Sequence, residues 1–570
     1  MLNRLTMFCI IAVLLGSALP GAQHAPKSRL DPKPYDPKVD INMDMFMSHW
    51  QESTQRHEHG TLMIRDIFTQ NETGDPLKPE RRGAILTHLT GYMHATLMPQ
   101  NTTTPSTLDG EQKIFYIVEG KGTVTAGGER AEMYPYTGVL IPEGLEFTMK
   151  NTGSDPLRMY IVVEPTPEGF TPRKTMLVRH ENDLPYQSST GHWVNITKPL
   201  FNRKDGLAII TGMSPVSLNS MTMAQPHASL PPEVDVLWLA LEGDIVTLLG
   251  KKLRRLTPGM AFANPGDGKV YHANINTTDK PIKLLWTRTV TPESVRGKYK
   301  PGPFFALDHL PYDPLKDANP DMYMGNWRDS MPQKTHGGLI ERDVLTKGDP
   351  MNPPTKGAVL KYVNRFTRAS LGARESTQPT TLKGEQEIIY ILTGNGTVTA
   401  GGSAHELFPG IAVLVPADLE FTMKNTGDET MTMYLINEPV PSGFRPNKKL
   451  MITDENTKPW NKGNPHWTGL SKPLFNTASG LGTLENILTV QYDPMTFFQP
   501  HSHVEGCEEV WTSITDKVHV LLGKQMRYQP PGTGYLIKPN GITPHANFNV
   551  SDDRIKLFYF ARYKDQEVRQ

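Results

Sequence analysis

Apolar residues occur along this chain in short runs that end in turns, as in residues 114–120, which read IFYIVEG. Such runs are typical of β-strands. Few windows sustain the i, i+3, i+4, i+7 apolar spacing of an amphipathic helix. The composition agrees, because 49 Pro and 48 Gly residues suit many short strands joined by turns. The pattern predicts an all-β fold.

The chain repeats itself. FTMKNTG occurs at 147–153 and again at 421–427, and GTVTAGG occurs at 122–128 and at 396–402. Both copies lie 274 residues apart (421 − 147 and 396 − 122). A period of this length indicates the duplication of a pair of domains and not a solenoid. A chain of 570 residues is also too long for one core.

Proline-rich joints divide each half again, at residues 164–172 and 438–446, and residues 291–306 join the halves. We therefore predict four small antiparallel barrels of the jelly-roll type. The first and third follow an arm that packs on the barrels. The predicted domains are 41–170 (arm and first barrel), 171–300 (second barrel), 315–446 (arm and third barrel) and 447–563 (fourth barrel).

The N-terminus predicts export. A charged start with Arg4 is followed by an apolar run from Met7 to Leu15 and then by small residues. This run is too short to span a bilayer and is typical of a signal peptide, which we place at residues 1–22. Removing it leaves Cys507 as the single cysteine, so no intramolecular disulfide is expected. We expect a periplasmic or secreted protein.

The charges are balanced, with 59 Lys and Arg residues and 59 Asp and Glu residues. No basic block indicates nucleic acid, and no polybasic helix indicates a membrane surface. We expect a small-molecule substrate, no nucleic acid and no membrane association after signal cleavage. The oligomeric state stays open.

One segment near the C-terminus combines three histidines with a carboxylate. His501 and His503 stand two residues apart, so on a strand their side chains point to the same side. A following acid, Glu508 or Glu509, and the later His545 can converge on that point if the strands roll into a small barrel. Three imidazoles and one carboxylate suit a divalent Fe, Mn, Zn, Ni or Co ion and leave coordination positions open.

This segment resembles the two motifs of the cupin superfamily. The first motif is HxH, a short loop, Glu and an apolar strand, and the second is PxGxxHxxxN. Two small departures are a slightly long loop after HxH and one extra residue before the third histidine. The matching residues are His501, His503 and Glu509 in the first motif and Pro539, Gly541, His545 and Asn549 in the second.

The resemblance implies one metal ion held by His501, His503, Glu509 and His545, and barrels arranged as two bicupin halves. We prefer Glu509 to Glu508 as the ligand, because its distance from the next turn fits the usual strand length. Glu508, or alternatively Glu505, is then a candidate catalytic acid or base. Trp511 is a candidate wall of the substrate pocket.

The second barrel keeps part of the pattern. His227 aligns with His501, and His272 aligns with His545, while Asp235 falls near the place of Glu508. Two histidines and one carboxylate can form a facial triad. We keep His227, Asp235 and His272 as a possible second metal site, beside the alternative of a vestigial pocket.

The first and third barrels lack the pattern, because Phe147 and Phe421 stand where the third histidine would be. We expect no metal ion there. The family contains oxygenases, isomerases, decarboxylases, lyases and non-catalytic proteins, so the resemblance implies no single reaction. We expect an exported metal-dependent oxygenase, isomerase or lyase that acts on a hydroxy-acid, keto-sugar or enediol-type substrate. The alternative is a non-catalytic metal- or carbohydrate-binding protein.

Overall fold

The computed structural model describes residues 30–31, 33–188, 192–194, 196–228, 234–290, 307–308, 310–462 and 466–563. The predicted signal peptide at 1–22 lies outside these ranges. Within them every helix is a single 3-10 turn, and none is long and apolar enough to cross a membrane. The 3-10 turns are Met43–Phe46, Trp50–Glu52, Glu181–Asp183, Arg203–Asp205, Pro320–Met322, Trp327–Asp329, Glu455–Thr457 and Thr477–Ser479.

The described strands form eight sheets, which pair face to face as four barrels. All pairings are antiparallel except two short parallel contacts, Leu62–Gln70 with Ala84–Leu86 and Leu339–Lys347 with Ala358–Leu360. The predicted all-β fold of four jelly-roll barrels in two duplicated halves is confirmed.

The first half contains two barrels. The first barrel consists of Arg56–Glu58, Leu62–Gln70, Ala84–Leu86, Gly91–Leu97, Glu111–Glu119, Gly122–Ala126, Glu129–Met133, Thr137–Ile141, Phe147–Asn151, Leu157–Pro165 and Leu177–His180. The second barrel consists of Met47–His49, Gln187–Ser188, Ile196–Thr197, Phe201–Asn202, Ile210–Leu218, Thr222–Met223, His227–Ala228, Val236–Glu242, Ile245–Leu249, Lys252–Leu256, Met260–Ala263, Tyr271–Asn276 and Ile282–Thr289.

The second half repeats this arrangement. The third barrel consists of Gln333–Thr335, Leu339–Lys347, Ala358–Leu360, Arg365–Leu371, Thr380–Thr381, Glu385–Thr393, Gly396–Ala400, Ser403–Leu407, Ile411–Val415, Glu420–Asn425, Met431–Pro439 and Met451–Asp454. The fourth barrel consists of Met324–Asn326, Leu470–Asn476, Asn486–Tyr492, Thr496–Phe497, Glu508–Ser513, Val518–Leu522, Gln525–Gln529, Thr533–Tyr535, His545–Asn549 and Ile555–Arg562.

The two barrels of each half exchange strands, which is where the structure differs from the predicted boundaries. Met47–His49, in the arm assigned to the first barrel, pairs with Met260–Ala263 of the second. In return Leu177–His180, beyond the predicted boundary at 170, pairs with Thr137–Ile141 of the first. The second half does the same with Met324–Asn326 and Met451–Asp454. A domain boundary that is drawn in the sequence between two barrels therefore separates strands that belong to the same sheet.

Some apolar cores lie inside single barrels, and others lie between barrels. One core fills the interior of the first barrel and another fills the third. A larger core lies between the two barrels of each half. A further core joins the second barrel to the fourth and includes Trp193 and Trp467.

Short extended segments reach from one half to the other. Trp467 Nε1 donates to the carbonyl of Asp31 at 2.5 Å, and Leu30, which is 1% exposed, accepts from the side chain of Gln499. In the mirrored contact, Trp193 Nε1 donates to the carbonyl of Asp308 at 2.8 Å. Leu307 accepts from Gln225 at 3.0 Å. Each half therefore places a leucine on the barrel of the other half.

Candidate metal centre

A turn and a strand bridge bring the three histidines of the fourth barrel together. The N–H of His545 donates to the carbonyl of His501 at 2.8 Å, and the reverse bond measures 3.2 Å. The N–H of Gly541 donates to the carbonyl of His503 at 2.7 Å. Gly541 has a φ of 81°, which glycine adopts without steric cost. The Pro-Asn-Gly turn thus fixes the HxH segment against the strand of the third histidine.

The structure brings the four residues predicted to hold metal to one point. Their ligand atoms all lie within 4.8 Å of one another. His503 Nε2 lies 3.1 Å from His545 Nε2 and 3.3 Å from Glu509 Oε2, and His545 Nε2 lies 3.3 Å from Glu509 Oε1. All four side chains, including that of His501, are buried. Across the described ranges, no other group of three or more His, Cys, Asp or Glu residues converges in this way.

Outer hydrogen bonds orient two of the imidazoles. His501 Nδ1 lies 2.9 Å from the carbonyl of Gln499, to which only an N–H can donate. His545 Nδ1 lies 3.0 Å from the hydroxyl of Tyr535, which itself donates to Asn547 Oδ1 at 3.2 Å. In a neutral ring each bond leaves Nε2 with the lone pair. Such bonds fix the tautomer of metal-binding histidines.

Three aromatic side chains hold the carboxylate of Glu509. Trp511 Nε1 donates to Oε1 at 2.5 Å, and the Tyr559 hydroxyl donates to Oε2 at 3.1 Å. The Tyr563 hydroxyl also donates to Oε2. Trp511, predicted as a pocket wall, therefore lies beside the centre and contacts one of its candidate ligands. These donors fix the carboxylate facing the histidines.

The electrostatics of the cluster favour a bound cation. Burial lowers the pKa of His501 well below its ordinary value and lowers the pKa of His545 to about 3, so both rings are neutral at pH 7. Burial raises the pKa of Glu509, but His503 and the other imidazoles outweigh it and hold that pKa well below the ordinary value. Burial lowers the pKa of His503, but Cys507 and Glu509 outweigh it and raise it. The cluster thus holds one positive charge facing an ionised carboxylate.

This donor set fits a divalent transition metal. Neutral imidazole Nε2 atoms and an ionised carboxylate are the ligands that such ions take. Metal binding displaces protons from its ligands, so an ion bound here would replace a proton on His503. His501, His503, Glu509 and His545 are therefore the residues that would hold the ion.

Glu508 lies outside this cluster and has a different role. Its carboxylate accepts the backbone N–H groups of residues 361–363, in the third barrel, at 2.5, 2.8 and 2.9 Å. Neighbouring residues of a strand point to opposite faces, so Glu508 faces the adjoining barrel while Glu509 faces the interior. Both oxygens of Glu508, the candidate catalytic acid or base, are therefore occupied by backbone donors of the third barrel and lie outside the cluster of candidate ligands.

Asp235 repeats this contact in the first half. Its carboxylate accepts the N–H groups of residues 87–89 at 2.8, 2.9 and 2.8 Å. The structure therefore does not bring Asp235 together with His227 and His272. Val236 stands at the place of Glu509 (509 − 273), so the described strand Val236–Glu242 has an apolar residue where the fourth barrel has its interior carboxylate.

The two histidines of the second barrel do lie together. The rings of His227 and His272 are 4.1 Å apart, and His192 lies 4.5 Å from His227. Burial lowers the pKa of His227 to about 4. Ser229, which aligns near His503, lies outside the described residues. Burial also lowers the pKa of His272 well below its ordinary value, so His227 and His272 are neutral at pH 7.

Phe147 and Phe421 fill the interiors of the first and third barrels, where each is 1% exposed. Their neighbours are unexpected, because His59 lies 5.0 Å from Phe147 and His336 lies 5.6 Å from Phe421, measured between rings. These histidines come from the arms and not from the HxH position.

Sequence reasoning missed the tyrosines around the centre. Tyr559 is paired directly with Trp511 in the sheet, and Tyr563 follows it by four residues. The signal available was strand alternation, because the last strand of the barrel, Ile555–Arg562, has one face toward the HxH segment. Without the register of that strand, the facing residues cannot be chosen.

Comparison with known families identifies two of the barrels. The model of the Cupin domain matches residues 93–163 and 370–437, which lie in the first and third barrels. No curated protein sequence is similar enough to this chain to count as a match.

Several solved structures resemble the chain. Protein Ylba from E. coli is 10% identical over 45% of this chain and 94% of its own, with a TM-score of 0.33. A putative glyoxylate induced protein from Pseudomonas aeruginosa is 15% identical over 46% of this chain and 96% of its own, with a TM-score of 0.35. Oxalate decarboxylase from Bacillus subtilis is 11% identical over 45% of this chain and 78% of its own, with a TM-score of 0.33.

The assignment rests on observations within the chain itself. The Cupin domain matches both copies of the duplicated segment. The strands form paired antiparallel sheets in each of four barrels. Both motifs meet in the fourth barrel. The chain therefore carries two Cupin domains, one in the first barrel and one in the third, within a tandem arrangement of four antiparallel barrels.

Proposed function

We propose that this protein is a metal-dependent enzyme that acts on a small polar substrate at the centre of the fourth barrel. The observation that carries the proposal is the convergence of His501, His503, Glu509 and His545 within 4.8 Å. A bound divalent ion would supply a Lewis acid at this point and leave positions open for oxygen atoms of a hydroxy-acid, keto-sugar or enediol-type substrate.

The residues around the centre indicate how the protein would support such chemistry. Tyr535 and Gln499 orient the imidazoles, and Trp511 holds Glu509, so the ligands are fixed before substrate arrives. Fixed groups need no reorganisation during reaction. Burial, together with Glu509, raises the pKa of Tyr559 and Tyr563 well above the ordinary value. Both therefore remain protonated and can donate hydrogen bonds.

Tyr563 is our candidate for contact with substrate. Its hydroxyl donates to Glu509, and its ring lies 6.2 Å from that of His503. It is also only part-buried, whereas Tyr559 is buried. A phenol placed between the exterior and the ligands can donate to an oxygen of a bound substrate. This assignment replaces Glu508.

Elemental analysis of the purified protein, followed by turnover assays, tests the proposal. One divalent transition-metal ion per chain is expected. His501→Ala should remove this ion, because His501 is one of its candidate ligands. His227→Ala should not remove it. This variant is a matched control, because His227 and His501 follow a proline at corresponding places. Oxygen uptake and product analysis with hydroxy-acids, keto-sugars and catechol-like compounds would separate oxygenase, isomerase and lyase reactions. Tyr563→Phe should keep the metal and reduce turnover.

Two results would change the conclusion. A stoichiometric metal without turnover in that panel would favour a non-catalytic metal- or carbohydrate-binding protein. An equal metal content in the His501→Ala variant would refute the centre itself.

We also propose that the protein is exported. The charged start, the apolar run from Met7 to Leu15 and the small residues that follow support a cleaved signal at residues 1–22. Mass analysis of the protein recovered from the periplasm of a bacterial host should find a mature chain that begins near residue 23. Recovery of an uncleaved chain in the cytoplasm would contradict export.

A further inference from the structure

The interior of the third barrel ends in a cluster of buried and half-buried polar side chains. Four of them share the interior face with the apolar core, because each stands two residues from a core residue on the same strand. These pairs are Glu341 with Leu339, Thr367 with Ala369, Glu387 with Ile389, and Asn437 with Leu435. The side chains of Glu341 and Glu387 are 2% and 1% exposed.

The first carboxylate of this cluster is fully hydrogen-bonded. Glu341 Oε2 accepts from the hydroxyl of Thr367 at 3.1 Å and lies 3.2 Å from Arg365 Nη1. The hydroxyl of Thr335 donates to the other oxygen. These donors fix the orientation of the Glu341 carboxylate.

The second carboxylate is only half satisfied. Glu387 Oε1 accepts from Asn437 at 3.2 Å and lies 3.4 Å from His336 Nε2. Glu387 Oε2 is buried and has no hydrogen-bond partner, and neither has Nδ1 of His336. A buried carboxylate oxygen without a donor is costly, and such groups call for a specific explanation such as a bound ion or ligand.

In the first barrel, the position that corresponds to Glu387 carries a lysine, whose ammonium group is a cation supplied by the protein itself. Lys113 and Glu387 are both the third residue of corresponding strands. Lys113 Nζ lies 2.9 Å from Glu58 Oε2, 3.4 Å from Glu111 Oε1 and 3.3 Å from His59 Nε2. The ammonium group of the first barrel is thus surrounded by two carboxylates and an imidazole.

The third barrel has His336 where the first barrel has His59. It has the negatively charged Glu387 where the first barrel has the positively charged Lys113. The residues that correspond to Glu341 and Asn437 in the first barrel are Ile64 and Val163. An apolar residue at each place therefore suffices for the fold. The polar cluster of the third barrel is an addition that folding does not require.

The charges of the cluster also favour a cation. Four carboxylates, those of Glu341, Asp343, Glu385 and Glu387, face two basic side chains, Arg365 and His336. Burial lowers the pKa of His336, but Glu387, Glu341 and Glu385 outweigh it and raise the pKa above the ordinary value. The surroundings therefore attract positive charge.

We propose that the third barrel binds a small cation between His336, Glu341 and Glu387, in the place that the Lys113 ammonium occupies in the first barrel. A divalent metal ion and a small organic ammonium share this chemistry. Carboxylate oxygens and one imidazole ligate Mn²⁺ or Zn²⁺, and the same oxygens accept from an ammonium group. The ligand atoms are less compact than in the fourth barrel, so the cation is held more weakly.

This site differs from the HxH position, at which we expected the third barrel to hold no metal. Its histidine comes from the turn between Gln333–Thr335 and Leu339–Lys347, and its acids come from two separate strands. The inference is independent of the proposed function, because none of its residues lies in the fourth barrel.

Calorimetric titration tests the proposal. His503→Ala protein, which lacks the fourth-barrel centre, is titrated with MnCl₂ and, separately, with methylammonium chloride. One site per chain for either cation supports the proposal, and the cation that binds identifies the source. In the same background Glu387→Lys should abolish binding, because it restores the lysine of the first barrel. Glu387→Gln, a milder change, should weaken binding at least tenfold.

A matched control and two contrary outcomes complete the test. Glu406→Lys makes the same charge change at an exposed residue of the same barrel, and it should leave binding unchanged. Failure of both cations to bind the His503→Ala protein would overturn the inference. So would binding that survives Glu387→Lys, because the site would then lie elsewhere.

Discussion

Glu508 and Glu509 are neighbours in sequence, but they should respond to the same substitution in opposite ways. Glu508 faces the third barrel and holds the backbone of residues 361–363, whereas Glu509 faces the candidate ligands. Replacing either glutamate by glutamine removes one charge and changes the shape little. Glu508→Gln should therefore destabilise the protein without removing metal. Glu509→Gln should remove metal without a comparable loss of stability in the metal-free protein.

The structure sets the size of the first effect. Glu508 accepts three N–H groups at 2.5–2.9 Å. A hydrogen bond to a charged group contributes about 1.5–3 kcal/mol, and a buried donor that loses its partner costs about 1–3 kcal/mol. Glutamine keeps one acceptor oxygen and turns an NH₂ group toward a backbone donor. We expect a loss of about 2–4 kcal/mol, because burial, which raises the pKa of Glu508, offsets part of the gain from the charge.

Urea unfolding and elemental analysis of the same preparations measure the two effects. Unfolding is compared after metal removal, so that metal binding does not contribute to the difference. Asp235→Asn is the matched control, because Asp235 makes the same three contacts with residues 87–89. It should lower stability by a similar amount and leave the metal content unchanged.

One result would refute this reasoning. If Glu508→Gln lost its metal and kept its unfolding free energy, Glu508 would be the ligand. The contacts that we assign to it would then not describe the protein in solution.

Three further predictions concern the metal and the buried histidines. His503→Ala should lose stoichiometric metal while its circular dichroism stays that of the wild type, and full occupancy in that variant would contradict the centre. A chelator should lower the unfolding free energy of the wild type by ~3–4 kcal/mol if free metal was ~100–1,000 times the dissociation constant. The chelator should not change the unfolding free energy of the Glu509→Gln variant. Stability should fall by up to ~3 kcal/mol between about pH 6.5 and 4, because His227, with a folded pKa of about 4, stays neutral in the native state and takes a proton when unfolded. Urea unfolding at pH 7 and 4.5 checks this fall, which His227→Gln should reduce, and an unchanged slope in that variant would refute the assignment.

The fourth-barrel cluster could be predicted because its ligands are close in sequence. His501 and His503 stand two residues apart, and the turn at Gly541 returns the chain to them. Both relations are local, so one sequence contains them. The duplication added a comparison that placed His227 and His272 at corresponding positions.

The roles of the acids could not be predicted in the same way. Asp235 and Glu508 align with each other, but their function depends on residues 87–89 and 361–363, about 145 positions earlier in the chain. A shift of one residue along a strand exchanges interior for exterior. The choice between Glu508 and Glu509 therefore needed the register of the strand.

The cluster in the third barrel was missed for a similar reason. His336 comes from a turn, and Glu387 and Glu341 come from separate strands, so no short motif joins them. The copy in the first barrel gave a signal, because Lys113 and Glu387 stand at corresponding places with opposite charge. That signal becomes informative only when both positions are known to face an interior.

The segments that reach between the halves make this chain a reciprocal assembly. Leu30 lies on the fourth barrel beside Gln499, and Leu307 lies on the second barrel beside Gln225. A half that is produced on its own would carry its own leucine segment. It would also expose the surface to which the leucine of the other half binds. Two identical copies of that half should then pair about a two-fold axis. The covalent joint makes this pairing intramolecular, with an effective concentration in the millimolar range. In evolutionary terms, this arrangement is that of a homodimer whose two subunits were fused into one chain and have since diverged in sequence.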